Sequence, residues 1–389
     1  MLFIHGNIQT MEDGGYPDGY LWVKDGKIAG VGPSAEAPAD PEIIDLAGKT
    51  LLPGFVDAHC HLGMWEDGLG FEGDDGNEAT DPVTPQLRAI DALNPLDRTF
   101  AEARLGGVTT VLTGPGSANA IGGQWAALKT AGRRIDDMVL DPAIGMKFAL
   151  GENPKVTYNE KNVAPVTRMA TASLIREQLR KASRYLSDKE RADEEEDFDE
   201  PEFDEPEFDA KCEALIPVLT GKQKAFFHAH RADDVFTAIR IAREFKLDLV
   251  LVHCTEGHLV RDILAGEKVP VIAGPILSDR SKPELRNLTV ENPGLLDKAG
   301  IQTALCTDHP VIPIQYLALC AGIAIGAGMD REQALKAITI NAARAAGIDG
   351  RVGSLAVGKD ADFCVFDGDP CSPYVRPEMV FIDGKRITE

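Results

Sequence analysis

The stretch Leu247–Cys254, "LDLVLVHC", is an apolar strand signal that stops on a histidine, and "EGHLVRDILAG" (256–266) after it has helical spacing and a glycine stop. The same punctuation recurs on both sides. Upstream, "KAFFHAH" (224–230) precedes "DDVFTAIRIAREFK" (233–246), and "GVTTVLTGPG" (107–116) follows the helical "DRTFAEARLGG" (97–107). Downstream, "KVPVIAG" (268–274) leads through a mixed stretch to "ENPGLLDKAG" (291–300). Then "IQTALCTD" (301–308) precedes an apolar helix and "DREQALKAITINAARAAG" (330–347), in which Asp330 and Gln333 have capping-box spacing.

Apolar strands alternating with helices imply a parallel sheet covered on both faces, either a closed barrel or an open doubly wound sheet. The polar residues decide between them. His61, Lys147, His228, His253 and Asp308 each stand at or just past the carboxyl end of a different strand, spread over the middle of the chain. A closed barrel gathers all those ends on one rim, whereas an open sheet gathers only those near a switch point. The fold expected is therefore α/β, a (β/α)₈ TIM-like barrel.

The two ends of the sequence differ from this middle and resemble each other. "YLWVKDGKIAGVG" (20–32) and "MVFIDGKRIT" (379–388) share an Asp-Gly-Lys hairpin signal, and "DADFCVFD" (360–367) alternates just before the second. Residues 1–52 plus 352–389 are expected to form a small β-sandwich domain, leaving 53–351 for the barrel. An acidic insertion at about 188–210 interrupts that barrel. It contains the near-repeat FDEPE and reads as a solvated disordered or loosely helical loop.

The 389 residues carry a formal net charge of -22, and more than half of it falls between Asp188 and Asp209, where fourteen acidic residues meet two basic ones. No stretch concentrates Lys and Arg, so nucleic acid and anionic membrane surfaces are not expected partners. Seven scattered cysteines without a C-x-x-C pair read as reduced thiols, and the start lacks a signal-peptide pattern, which together suggest a cytoplasmic protein. Pro310–Met329 is free of charge, but its proline, glutamine and glycines read as a buried helix rather than a membrane span. A small-molecule substrate is the expected partner, with a homo-oligomer allowed.

Chemistry concentrates on the histidines. On a strand, residues i and i+2 share a face, so His59 and His61 of "VDAHCHLG" (56–63) project together and Cys60 points away. Seven of the eight histidines (59, 61, 228, 230, 253, 258, 309) lie at strand ends or just beyond them. Imidazole and carboxylate donors without thiolate suit a catalytic Zn²⁺, Mn²⁺ or Fe²⁺ site with an open position for water, Zn²⁺ foremost. Water on such an ion is acidified into a nucleophile, and a neighbouring aspartate can carry its proton to a leaving group.

"LLPGFVDAHCHLG" (51–63), the strand-end histidines, "CTDHP" (306–310) and "GSLAVGKDADFCVFD" (353–367) together resemble the amidohydrolase superfamily, most closely its imidazolonepropionase-related and prolidase-like branch. The resemblance implies His59 and His61 as first-strand ligands, His228 and His253 as fifth- and sixth-strand ligands, and Asp308 as eighth-strand ligand and proton shuttle. It also implies Lys147 as a carboxylated lysine on the fourth strand. Two alternatives stay open there: Lys147 as a cation for a substrate carboxylate, and Glu152 as the ligand. His253 or His258 would help polarise the carbonyl, and His230, Arg231 and Gln124 would contact substrate. The activity implied is hydrolysis of a C–N bond in a small amide or cyclic amide. A deaminase is the alternative, disfavoured because His228 is followed by Ala-His-Arg-Ala-Asp-Asp rather than by a nearby glutamate. A non-catalytic scaffold is a third reading, and it predicts missing ligands.

Overall fold

The computed structural model describes residues 1–12, 14–67, 69–195 and 205–388. Five strands open the chain: β1 (Leu2–Glu12), β2 (Gly14–Lys24), β3 (Lys27–Pro33), β4 (Ile43–Asp45) and β5 (Thr50–Pro53). Eight build the barrel sheet: β6 (Phe55–Cys60), β7 (Val108–Thr113), β8 (Ile121–Lys129), β9 (Val139–Ala149), β10 (Lys224–Ala229), β11 (Leu249–His253), β12 (Val271–Ala273) and β13 (Thr303–Leu305). Three follow: β14 (Phe363–Phe366), β15 (Pro377–Ile382) and β16 (Lys385–Ile387).

The barrel strands are neighbours in chain order from β6 to β13. Backbone hydrogen bonds from Asp308 N to His59 O (3.1 Å) and from His61 N to His309 O (2.9 Å) join the last sector to the first. The result is a TIM-like barrel with one departure from the expected all-parallel pattern. β8 pairs antiparallel with both β7 and β9. The cause is connection length, since only residues 114–120 lie between β7 and β8, and a parallel crossover needs about a dozen residues or more. The chain can only turn back, and the short return through 130–138 restores the original direction for β9.

Helices 98–105, 232–245, 292–298 and 317–326 alternate with the strands. Asp97 caps the first through Thr99 N, and Asp330 caps the helix at 331–337 through Gln333 N (3.1 Å). The uncharged segment forms a ten-residue helix, Leu317–Gly326, with one face buried, and among the described residues no helix is long and apolar enough to cross a membrane. The acidic insertion begins within a long helix, Arg168–Glu195; residues 196–204, with most of the FDEPE near-repeat, lie outside the described residues.

The first and last strands join in one sheet of order β16-β15-β14-β5-β1-β2-β3, with β4 beside β1. Two strands separate β1 from β15, yet the rings of Phe3 and Phe381 lie 5.1 Å apart. In a flat sheet they would be about 14 Å apart at the usual strand spacing, so this sheet curls over its own aromatic core. Both Asp-Gly hairpin turns have positive φ (Asp25 51°, Gly26 75°; Asp383 49°, Gly384 70°), as tight type I′ turns require, and the two turns abut. All seven cysteines are buried and unpaired.

Candidate metal centre at the barrel mouth

Each chemical side chain reaches the mouth because its strand ends there. His59 and His61 leave β6, Lys147 lies near the end of β9, His228 and His253 end β10 and β11, and Asp308 follows β13. The turns that aim His253 and Asp308 are strained, with φ of 72° and 53°. Left-handed backbone at non-glycine residues costs about 1–3 kcal/mol each and concentrates at functional sites. These side chains line one cavity of about 480 Å³, within the usual range of small-molecule sites.

Two donor groups face each other across it. His59 Nε2 and His61 Nε2 lie 3.3 and 3.4 Å from Asp308 Oδ1, and Lys147 Nζ lies 3.3 Å from His59 Nε2. His228, His230 and His253 form the second group, all three buried, with donor atoms within 4.8 Å of one another. His61 Nδ1 meets the carbonyl of Gly114 (2.6 Å) and His253 Nδ1 that of Gly274 (2.7 Å). A carbonyl accepts only, so Nδ1 carries the proton in both rings and Nε2 presents its lone pair to the cavity. Gly114 must be glycine for this: a Cβ there would lie 2.2 Å from Trp125 and displace the carbonyl that orients His61.

The electrostatics suit cation ligation. Burial, then Lys147, holds His59 well below the ordinary imidazole range, burial and His253 do the same to His228, and burial lowers His253 to about 4. The rings are thus neutral. Burial pushes the Lys147 amine down to about 7. Burial alone would raise Asp308, but the imidazoles of His253, His59 and His61 outweigh it and hold the carboxyl well below its usual range. Several donors remain unpartnered despite burial: Nδ1 of His59 and both ring nitrogens of His228. Buried polar atoms without partners are rare in native proteins. This donor set fits one or two divalent ions, held by His59, His61, Lys147, His228, His253 and Asp308.

Three expected site residues lie elsewhere. His258 sits in a 3₁₀ turn, its Nδ1 on Thr255 O (3.1 Å) and its backbone N on Asn292 Oδ1 (2.9 Å), because the chain winds away from the mouth after His253. Gln124 faces outward toward Pro85 O (3.4 Å), since strand alternation on β8 turns its neighbour Trp125 inward onto His59. Arg231 is held by Asp233 (2.7 Å) and lines a separate depression. His230 does line the cavity, and Glu152 does not. His309 is buried, and its carbonyl serves the barrel closure.

The structure adds residues that the motifs do not announce. Trp125 stacks on His59 (4.3 Å between centroids, 18°) under Lys147, and Trp65 sets its edge against His61 (4.6 Å). Asp57 lies beneath the site, accepting from His59 N and from Thr307 N and Oγ1, and so ties the first strand to the last. From the loop after β12, Lys282 lines the cavity, and Glu284 lies behind it, paired with Lys282 (2.7 Å) and 3.9 Å from His228 Nε2.

A barrel with histidine and aspartate donors at the carboxyl ends of its strands defines a class of hydrolytic enzymes, and similarity places the chain within it. Residues 225–388 match the amidohydrolase family. The crystal structure of an amidohydrolase from Thermotoga maritima MSB8 is 42% identical and superposes with a TM-score of 0.94 over 100% of this chain and 99% of that one. The chain belongs to the amidohydrolase family. It is also 33% identical over 372 residues to amidohydrolase tasK of Hapsidospora irregularis, covering 90% of this chain but only 38% of tasK. The imidazolonepropionase of Maricaulis maris is 26% identical over 398 residues, 94% of this chain and 92% of that one.

Proposed function

We propose that this protein hydrolyses a C–N bond in a small amide or cyclic amide with the help of one or two divalent ions, Zn²⁺ foremost. The observation that carries the reading is the pair of donor groups converging on one cavity with buried ring nitrogens left unpartnered. When bound, the metal acidifies water and polarises a carbonyl. The chain's own residues do the rest. Asp308 Oδ1, facing both His59 and His61, accepts the proton of the attacking water and returns it to the departing nitrogen. Trp65 and Pro310 exclude bulk water from the mouth, Trp125 backs His59, and Asn77, Ser117 and Asn153 offer hydrogen bonds that orient a polar substrate.

Lys147 is fully buried against Trp125 and His59, and burial makes it the readily deprotonated amine that carbon dioxide addition needs. As a carbamate it would bridge two ions. Elemental analysis of the wild type and of Lys147→Ala tests this. About two metals per chain falling to one or none is expected, with bicarbonate-dependent loading rising above pH 7 as the amine loses its proton. One metal per chain, unaffected by the substitution and by bicarbonate, would exclude the bridge. A panel of dipeptides, N-acyl amino acids and hydantoin-like rings addresses the substrate, and ammonia release from a heterocycle would instead mark a deaminase.

A further inference from the structure

A second carboxylate stands behind the second histidine group. The Glu284 side chain is wholly buried. Its Oε2 accepts from Glu152 N (3.0 Å), and Glu284 N donates in return to Glu152 Oε2 (3.1 Å), so the loops after β9 and β12 clasp each other. Its Oε1 is paired with the Lys282 ammonium (2.7 Å) and also points at the second histidine group, 3.6 Å from His230 Nε2 and 3.9 Å from His228 Nε2. The two separations from histidine are too long for hydrogen bonds, which close to about 2.7–3.2 Å. They are near the roughly 3.4 Å that two ligands keep when each lies about 2.1 Å from one tetrahedral ion. His230 Nδ1 rests on the Thr255 hydroxyl (2.7 Å), a support of the kind that orients a ring ligating through Nε2. The only cation against Glu284 Oε1 among the described residues is Lys282, at 2.7 Å, part-exposed and also hydrogen-bonded to Asn153 Oδ1 (2.8 Å).

We propose that Glu284 is a ligand of the ion held by His228, His230 and His253, and that Lys282 neutralises its Oε1 until that ion arrives. The site on this side of the cavity would then be three imidazoles and a carboxylate, one donor coming from a loop rather than a strand end. The inference rests on the metal-dependent reading above. It is tested on the full chain loaded with Zn²⁺ or Co²⁺, by elemental analysis, chelator competition and the visible absorption of bound cobalt. Glu284→Gln should weaken one ion by at least about 10–100-fold, the loss that follows removal of a residue merely supporting a ligand, and should shift its cobalt band. Lys282→Met should tighten the same ion, and His59→Asn should leave it in place. If Glu284→Gln binds metal with wild-type affinity and an unchanged cobalt spectrum, Glu284 is no ligand. A wild type that takes up no metal defeats the metal-dependent reading as well. Should Glu284→Gln fail to fold by circular dichroism, Lys282→Met decides: tighter binding supports the proposal and unchanged affinity overturns it.

Discussion

Two clusters of buried polar groups sit at opposite ends of the barrel, and they are built on opposite principles. At the far end of the reversed strand β8, Lys129 Nζ meets Asp360 (2.9 Å), Asp362 and Asp383 (3.2 Å), and Asp360 also pairs with Lys27 (2.5 Å) and Arg351 (2.8 Å). There each charge has a counter-charge. Burial alone would raise the Asp360 carboxyl, yet Lys27, Lys129 and Arg351 hold it at about 2. At the mouth, His59 and His228 instead keep unpartnered nitrogens in equally deep burial. A saturated cluster fastens the barrel to the small sheet; an unsaturated one is shaped for something the chain does not itself supply.

The contrast can be broken by substitutions at either end. The largest effect expected is on turnover: His59→Asn should lower kcat/KM by at least about 10³-fold with the thermal unfolding transition little moved, because the ring is spent on ligation. Lys129→Met should do the reverse. Leaving Asp362 buried without its cation, while Asp360 keeps Lys27 and Arg351, should cost about 3–5 kcal/mol in denaturant unfolding, and the folded fraction should keep its metal content. The smallest and most discriminating change is His228→Leu, which removes two unsatisfied buried nitrogens. In chelator-treated protein it should raise stability by about 1–3 kcal/mol, and loss of stability there would mean that the ring has a structural partner.

The rim was legible because it depends on local pattern. An apolar run that stops on His or Asp marks a strand end whatever the loops do, and period-2 alternation put His59 and His61 on one side. The barrel followed from those ends. What escaped depends on closure and on single-residue parity. Gln124 and Trp125 are adjacent, so only the pairing of β8 tells which one faces His59, and that strand's reversal hides in a seven-residue connection. Glu284 lies in "SKPELRN" (281–287), beyond any strand-end signal, and meets His230 only because β10 and β12 flank β11 in the closed sheet. His258 shares a short histidine-bearing segment with His253 but faces the other way, since a 3₁₀ turn has no strong signature at this length.

The pairing of Leu52 with Cys364 joins strands about three hundred residues apart in the chain. During synthesis, β1 and β5 emerge from the ribosome long before β14 and β15 exist. Phe3, Leu51 and their apolar neighbours must therefore wait uncovered while the whole barrel is made. The small sheet can close only after β14 and β15 have emerged, and until then its apolar face is one that a chaperone would need to shield.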